Sequence, residues 1–174
     1  LALRPDLDVV GIRGNVDTRL SKVKEAAYDA VVLAAAGLDR LGRQDAITEI
    51  LSPETMLPAA GQGALAVELR ADDEATHTLV APVNHTPSWA AAGAERAFMA
   101  RLGAGCHVPA AAYAVVDEHD IRVRALGGDR DGEKIIRGER QGEIGEAELL
   151  GRRIAEELLD RGAGELLREA ERQI

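Results

Sequence analysis

The chain has 174 residues, a formal net charge of −9, 46% apolar residues and 29% charged residues. That length accommodates one domain or two small ones with a buried core, and that composition excludes wholesale disorder. One cysteine excludes an internal disulfide and fits a reducing compartment, and 2% aromatic content on an acidic chain argues against nucleic acid as a partner.

The first region has an α/β rhythm. Residues 9–12 (Val-Val-Gly-Ile) read as a short strand and Arg13-Gly14-Asn15 as a turn with Asn15 as helix N-cap. Val16, Leu20 and Val23 recur at i, i+4 and i+7, which predicts an amphipathic helix to about residue 27. Residues 30–34 are continuously apolar and suit a buried parallel strand. A short helix is expected over 36–41, closed near Gly42, and another helical piece over 47–51, stopped by Pro53. This order predicts part of a doubly wound sheet.

The second region starts near Met56. Pro58 and Gly61-Gln62-Gly63 interrupt the pattern, and residues 64–69 resume as a strand. Asp72, Asp73 and Glu74 open a helix that Pro82 ends. In the third region Thr86 is expected as N-cap and Pro87 at the first helical position. That helix runs to about Leu102, with Trp89, Gly93, Arg96, Ala97 and Ala100 along one side. Three strands are expected over 110–116, 121–126 and 134–139, with Asp131-Gly132 as a hairpin signal. Ile121, Val123 and Ala125 alternate with Arg122 and Arg124, as a sheet with one wet face requires. Helices over 146–160 and 165–172 complete a small α+β domain.

No apolar run approaches the ~20 residues of a membrane span. The opening LALRPDLDVV lacks the basic and apolar segments of a signal peptide and has no initiator methionine. It reads as the start of a piece of a longer polypeptide.

Three constellations carry chemistry. Cys106 lies in a glycine-rich stretch, residues 103–109, between helix and strand. It is either a small buried thiol or a nucleophile and attachment point, and the residues alone leave both readings open. His107 is its neighbour, but adjacent side chains in extended chain point apart, so no Cys–His dyad follows. Arg13 ends a strand, Arg19 sits in the next helix and Arg40 follows the next strand. One sheet edge would collect all three into a polyanion site; the plain alternative is surface arginines paired with Asp17 and Asp39. Seven basic residues face six acidic ones over 1–43, and the rest of the chain is strongly acidic. Arginine, 18 of the 21 basic residues, clamps carboxylates through a planar fork. Gln62, between two glycines, offers an amide at a chain crossing. His77, His85, His107 and His119 are scattered, with no HExxH or CxxC, so no metal site is expected; no nucleotide loop occurs either.

These motifs together resemble one family. Residues 13–20, RGNVDTRL, resemble the RGN-x-x-TRL signature of porphobilinogen deaminase (hydroxymethylbilane synthase). Residues 28–42, the LPAAGQGA block at 57–64, Glu95-Arg96-Ala97-Phe98, Gly105-Cys106-His107-Val108-Pro109 and Tyr113-Ala114 are similar to its later blocks, in order. The resemblance implies a cytoplasmic, monomeric transferase of porphyrin biosynthesis. It joins four porphobilinogen molecules into linear hydroxymethylbilane and releases ammonia at each step. A dipyrromethane cofactor would be held as a thioether on Cys106, beside Arg13, Arg19 and Gln62. Arg13, Arg19 and Arg40 would bind the substrate's carboxylates.

The implied architecture is a partial periplasmic-binding-protein-like α/β domain over 1–57, a crossing and return segment over 58–84, and a C-terminal α+β domain over 85–174. The family's catalytic aspartate belongs to its N-terminal domain and matches no residue here, so this chain alone is expected to be inactive. Ala104 stands where the family usually has a second glycine before the cysteine. The competing expectation is a non-catalytic module that binds oligopyrrole carboxylates or is only structural. A periplasmic ligand receptor is a third reading, disfavoured by the Cys106 stretch.

Overall fold

Asn15 begins the first helix as its residue type dictates. In the computed structural model, which describes residues 1–103 and 108–172, α1 spans Val16–Lys24 and the Asn15 side chain accepts from the Thr18 backbone N–H. The chain divides into two units, one from residues 3–52 and one from 53 onward.

In the first unit α2 spans Ala35–Arg40 and a 3-10 turn follows at Gln44–Ala46. Leu38 is the one side chain of this unit, among the described residues, that is buried. The strands expected over 9–12 and 30–34 do not form, nor does the strand over 64–69 in the second unit. Apolar rhythm reports a wish for burial; a strand also needs a neighbour whose N–H and C=O complete its ladder. No described residue supplies that neighbour, and Val9, Val10, Val32, Leu65 and Val67 stand exposed. The helix expected over 47–51 is also absent. Ile47 leaves the 3-10 turn in extended conformation, and five residues before Pro53 are too few to offset helix nucleation.

In the second unit Asp73 caps α3 (Glu74–Val80), and Pro82 falls in a 3-10 turn at Ala81–Val83. Helix α4 is Thr86–Leu102, so the cap is His85 rather than Thr86 and Pro87 lies within the first turn. Its buried face is Ala94, Glu95 and Phe98, not the Trp89 side, and Trp89 is exposed. The cause is close packing on α5 (Ala147–Asp160): a Cβ on Gly151 would overlap the Ala94 carbonyl. Small residues win at that crossing, and indole is left outside.

Strands β1 (Ala110–Asp117), β2 (Asp120–Gly128) and β3 (Ile135–Glu143) form an antiparallel sheet in the order β1-β2-β3. Ile121, Val123 and Ala125 point into the core while Arg122 is exposed, as the alternation requires. Phe98, Ile121, Val123, Ile154 and Leu158 are fully buried, so α4 and α5 cover one sheet face. Helix α6 (Ala163–Arg172) buries Ala163 and Leu167, which lie against Gly127. The molecule is thus mixed α/β with a three-stranded antiparallel sheet. No helix among the described residues is long and apolar enough to cross a membrane.

Candidate functional site

The RGN turn of the first unit is built from its own residues. Gly14 has φ of +122°, and a Cβ there would come within 2.8 Å of the Thr18 methyl. Glycine is therefore required both by conformation and by space. Asn15 Oδ1 accepts from the Thr18 N–H and the Thr18 hydroxyl, each at 2.8 Å. Arg19, one residue on, swings back so that its Nε donates to the Gly14 carbonyl at 2.8 Å. Lys22 Nζ donates to the Arg13 carbonyl at 3.2 Å. Arg13, Gly14, Asn15, Thr18 and Arg19 are thus tied into one turn by local hydrogen bonds, with Lys22 closing it from the next helical turn.

Asp17 bears on the plain alternative for the arginines. Its carboxylate pairs with Arg43 at 2.6 Å and not with Arg13, Arg19 or Arg40. Arg4 pairs with Asp6 at 2.6 Å. Of the five arginines in the first 43 residues, the three singled out in sequence are those without an ion pair among the described residues. Arg13 and Arg40 are exposed and Arg19 is half-buried.

Gln62 lies in the second unit and is exposed. Gly61 and Gly63 take φ of +75° and +81°, and the Gln62 N–H donates to the Ala59 carbonyl at 3.2 Å. Cys106 and His107 lie outside the described residues; Gly103, with φ of +66°, closes α4 ahead of them and Val108 follows, buried. Among the described residues no three His, Cys, Asp or Glu side chains gather in a metal-like cluster.

Sequence reasoning quoted Glu95 only as part of a motif and gave it no role. It is 7% exposed, the one buried charged side chain among the described residues. Its Oε2 accepts from the Gly61 N–H at 2.6 Å and its Oε1 from the Ala114 N–H at 2.8 Å. Burial pushes its carboxyl above the usual 4.5, and the two backbone donors oppose that rise. The signal was present: Ala91, Ala94, Glu95, Phe98 and Leu102 share helical spacing, so an acid sits in an apolar stripe.

Two family models match this chain. Residues 1–78 match the dipyromethane cofactor binding domain of porphobilinogen deaminase, and residues 89–160 match the C-terminal domain of the same enzyme. The chain belongs to the porphobilinogen deaminase family. It is 49% identical over 166 residues to a porphobilinogen deaminase of Roseiflexus sp. (strain RS-1), covering 95% of this chain and 54% of the relative. It is 45% identical over 172 residues to that of Carboxydothermus hydrogenoformans, covering 99% of this chain and 55% of the relative. The chain therefore spans about half the length of the curated relatives it matches. The cofactor-domain match takes in Arg13, Arg19, Arg40 and Gln62; the C-terminal match takes in Glu95 and Cys106. Guanidinium groups without an ion pair are chemically complementary to carboxylates.

Proposed function

We propose that this chain is the C-terminal part of a hydroxymethylbilane synthase, a transferase joining four porphobilinogen units head to tail with release of ammonia in tetrapyrrole biosynthesis. In this reading residues 1–57 are the later part of a doubly wound, periplasmic-binding-protein-like α/β domain. Residues 58–84 are the crossing, and 85–174 form the α+β domain that carries the cofactor. The site of action is the cytoplasm.

The observation that carries the reading is the RGN turn. The Nε of Arg19 is committed to the Gly14 carbonyl, which fixes the guanidinium plane and leaves its terminal nitrogens to bind. A fixed fork gives a carboxylate two parallel hydrogen bonds, and so a defined position as well as attraction. Arg13 and Arg40 supply further unpaired cations for the acetate and propionate groups that accumulate as the product lengthens. Holding each ring in register brings the next reacting carbon to the chain end at high effective concentration. Gln62 would offer its side-chain amide to the cofactor. Cys106 would hold dipyrromethane as a thioether, and when bound that group supplies the primer to which the first unit is joined.

Mass spectrometry tests this directly. Chain purified from cells with an intact tetrapyrrole pathway is expected to carry a dipyrromethane adduct on the peptide that contains Cys106. An unmodified thiol in such material would sink the reading and favour a non-catalytic module.

A further inference from the structure

We infer that Glu95 is a positioning residue that fastens the 61–63 turn to the edge of the C-terminal sheet and so sets where Gln62 stands. The inference rests on the proposed role of Gln62 only for its functional consequence; the fastening stands on geometry.

Strand β1 is an edge strand, paired on one side only, with β2. Its outward N–H groups need partners, and an unpaired edge donor in a buried position is costly. Ala114 is such a residue: it is buried and opposes Val123 in the register. Its N–H goes not to another strand but to Glu95 Oε1. The second carboxylate oxygen turns to the Gly61 N–H. A single side chain from α4 thus splices a turn onto a sheet edge, with one oxygen for each side.

Charge explains the residue type. Two backbone donors converge on the site, and no cation is hydrogen-bonded to the carboxylate among the described residues. Glutamine has one acceptor oxygen and would present an NH2 group to the other donor. Aspartate is one methylene shorter. Only a glutamate-length carboxylate accepts both at 2.6 and 2.8 Å.

A second attachment lies upstream on the same segment. Glu54 pairs with Arg124 at 2.7 Å, and Arg124 stacks over the Tyr113 ring at 5.7 Å from its centroid. Ala60 packs against the core cluster. The stretch from 54 to 61 is therefore held at three points, and Gln62 leaves the last of them. The turn's own backbone holds Gln62 through the Gln62 N–H to Ala59 carbonyl and Ala64 N–H to Gly61 carbonyl bonds, at 3.2 and 3.3 Å, and Glu95 adds the bond that ties this turn to the sheet.

The test is spectroscopic and uses the whole chain. A through-hydrogen-bond scalar coupling between Gly61 15N and the Glu95 side-chain carboxyl 13C is expected in the unsubstituted protein. Its absence overturns the fastening without any variant having to fold. In Glu95→Gln the Gly61 amide is expected to exchange with solvent about ten- to a hundredfold faster, while amides at Val123 and Ile154 keep their protection. Unchanged Gly61 exchange overturns the inference. The functional consequence is read separately, as the fraction of chain carrying the Cys106 adduct in Glu95→Gln and in Gln62→Ala. A Gly61 signature that moves while Gln62→Ala keeps full adduct supports the fastening and removes Gln62 from the cofactor site.

Discussion

A buried carboxylate makes stability depend on pH in a direction fixed by the sign of its shift. Glu95 ionises at higher pH in the folded protein than in the unfolded chain, because burial outweighs its two backbone donors. The folded state then holds the proton more tightly, so the contribution is complete below the ordinary 4.5 and is lost as pH rises through the folded value. Asp73 runs the opposite way. The Thr76 N–H, then the Thr76 hydroxyl and Arg70, hold its carboxyl below 3.8. Its contribution to the α3 cap is present above 3.8 and lost as pH falls through the lower folded value. Urea midpoints measured from pH 3 to 7.5 are expected to separate the two. Glu95→Gln should flatten the fall above 4.5 and leave the acid limb intact; a parallel curve would refute the assignment. Arg19 makes a different prediction. Arg19→Lys removes both the Gly14 anchor and the fork, so porphobilinogen turnover by the complete enzyme should drop about tenfold or more. Stalled short oligopyrroles should accumulate with it. Unchanged turnover would take Arg19 out of the site.

Between elements, contacts of atomic dimension decide. Asn15→Ala removes the acceptor for the Thr18 amide and hydroxyl and should cost about 1 kcal/mol of helix stability, seen as faster exchange at the start of α1. Gly151→Ala should cost more, roughly 1–3 kcal/mol, because its methyl would press on the Ala94 carbonyl where α4 crosses α5. Thermal unfolding tells the two apart: the first is local and the second lowers the main transition. The same crossing shows what the sequence could and could not reveal. The sheet was legible because Ile121, Val123 and Ala125 alternate with arginines, a period that no other structure shares. Asn15 was legible because its cap is made within four residues. The face of α4 was not, because alanine and glycine carry little hydropathy signal and the choice rests on how near α5 comes. The expected strands over 9–12, 30–34 and 64–69 failed for a related reason: apolar runs state a need for burial without naming the partner. The arginines were readable as a motif, but their lack of ion pairs among the described residues was not, because that depended on Asp17 choosing Arg43. Glu95 was overlooked because a helical glutamate reads as solvated until the sheet edge behind it is known.

Across the whole chain the two units differ in how much they bury. Residues from 53 onward contain Phe98, Ile121, Val123, Ile154 and Leu158 in one cluster, all fully enclosed. Residues 3–52 bury Leu38 and expose Val9, Val10 and Val32. Opening free energy follows enclosed apolar contact, so the second unit should set the global stability and the first should open at little cost. Native-state hydrogen exchange is expected to show the slowest amides in α4, β2 and α5 and markedly faster ones throughout α1 and α2. Phe98→Ala should remove about 3–5 kcal/mol and collapse protection across α4, α5 and the sheet together, since all share that ring's surroundings. The amides of α1 should be unaffected by it, because their own hydrogen bonds run to Asn15 and along the helix. Equal protection in both units, or loss of α1 protection in Phe98→Ala, would mean that the chain unfolds as one cooperative body. The first unit carries the arginines without an ion pair among the described residues, which the proposed function assigns to carboxylate binding. A carboxylate that bridges those forks would then protect α1 more than α5, and adding an oligopyrrole polycarboxylate should slow exchange there first.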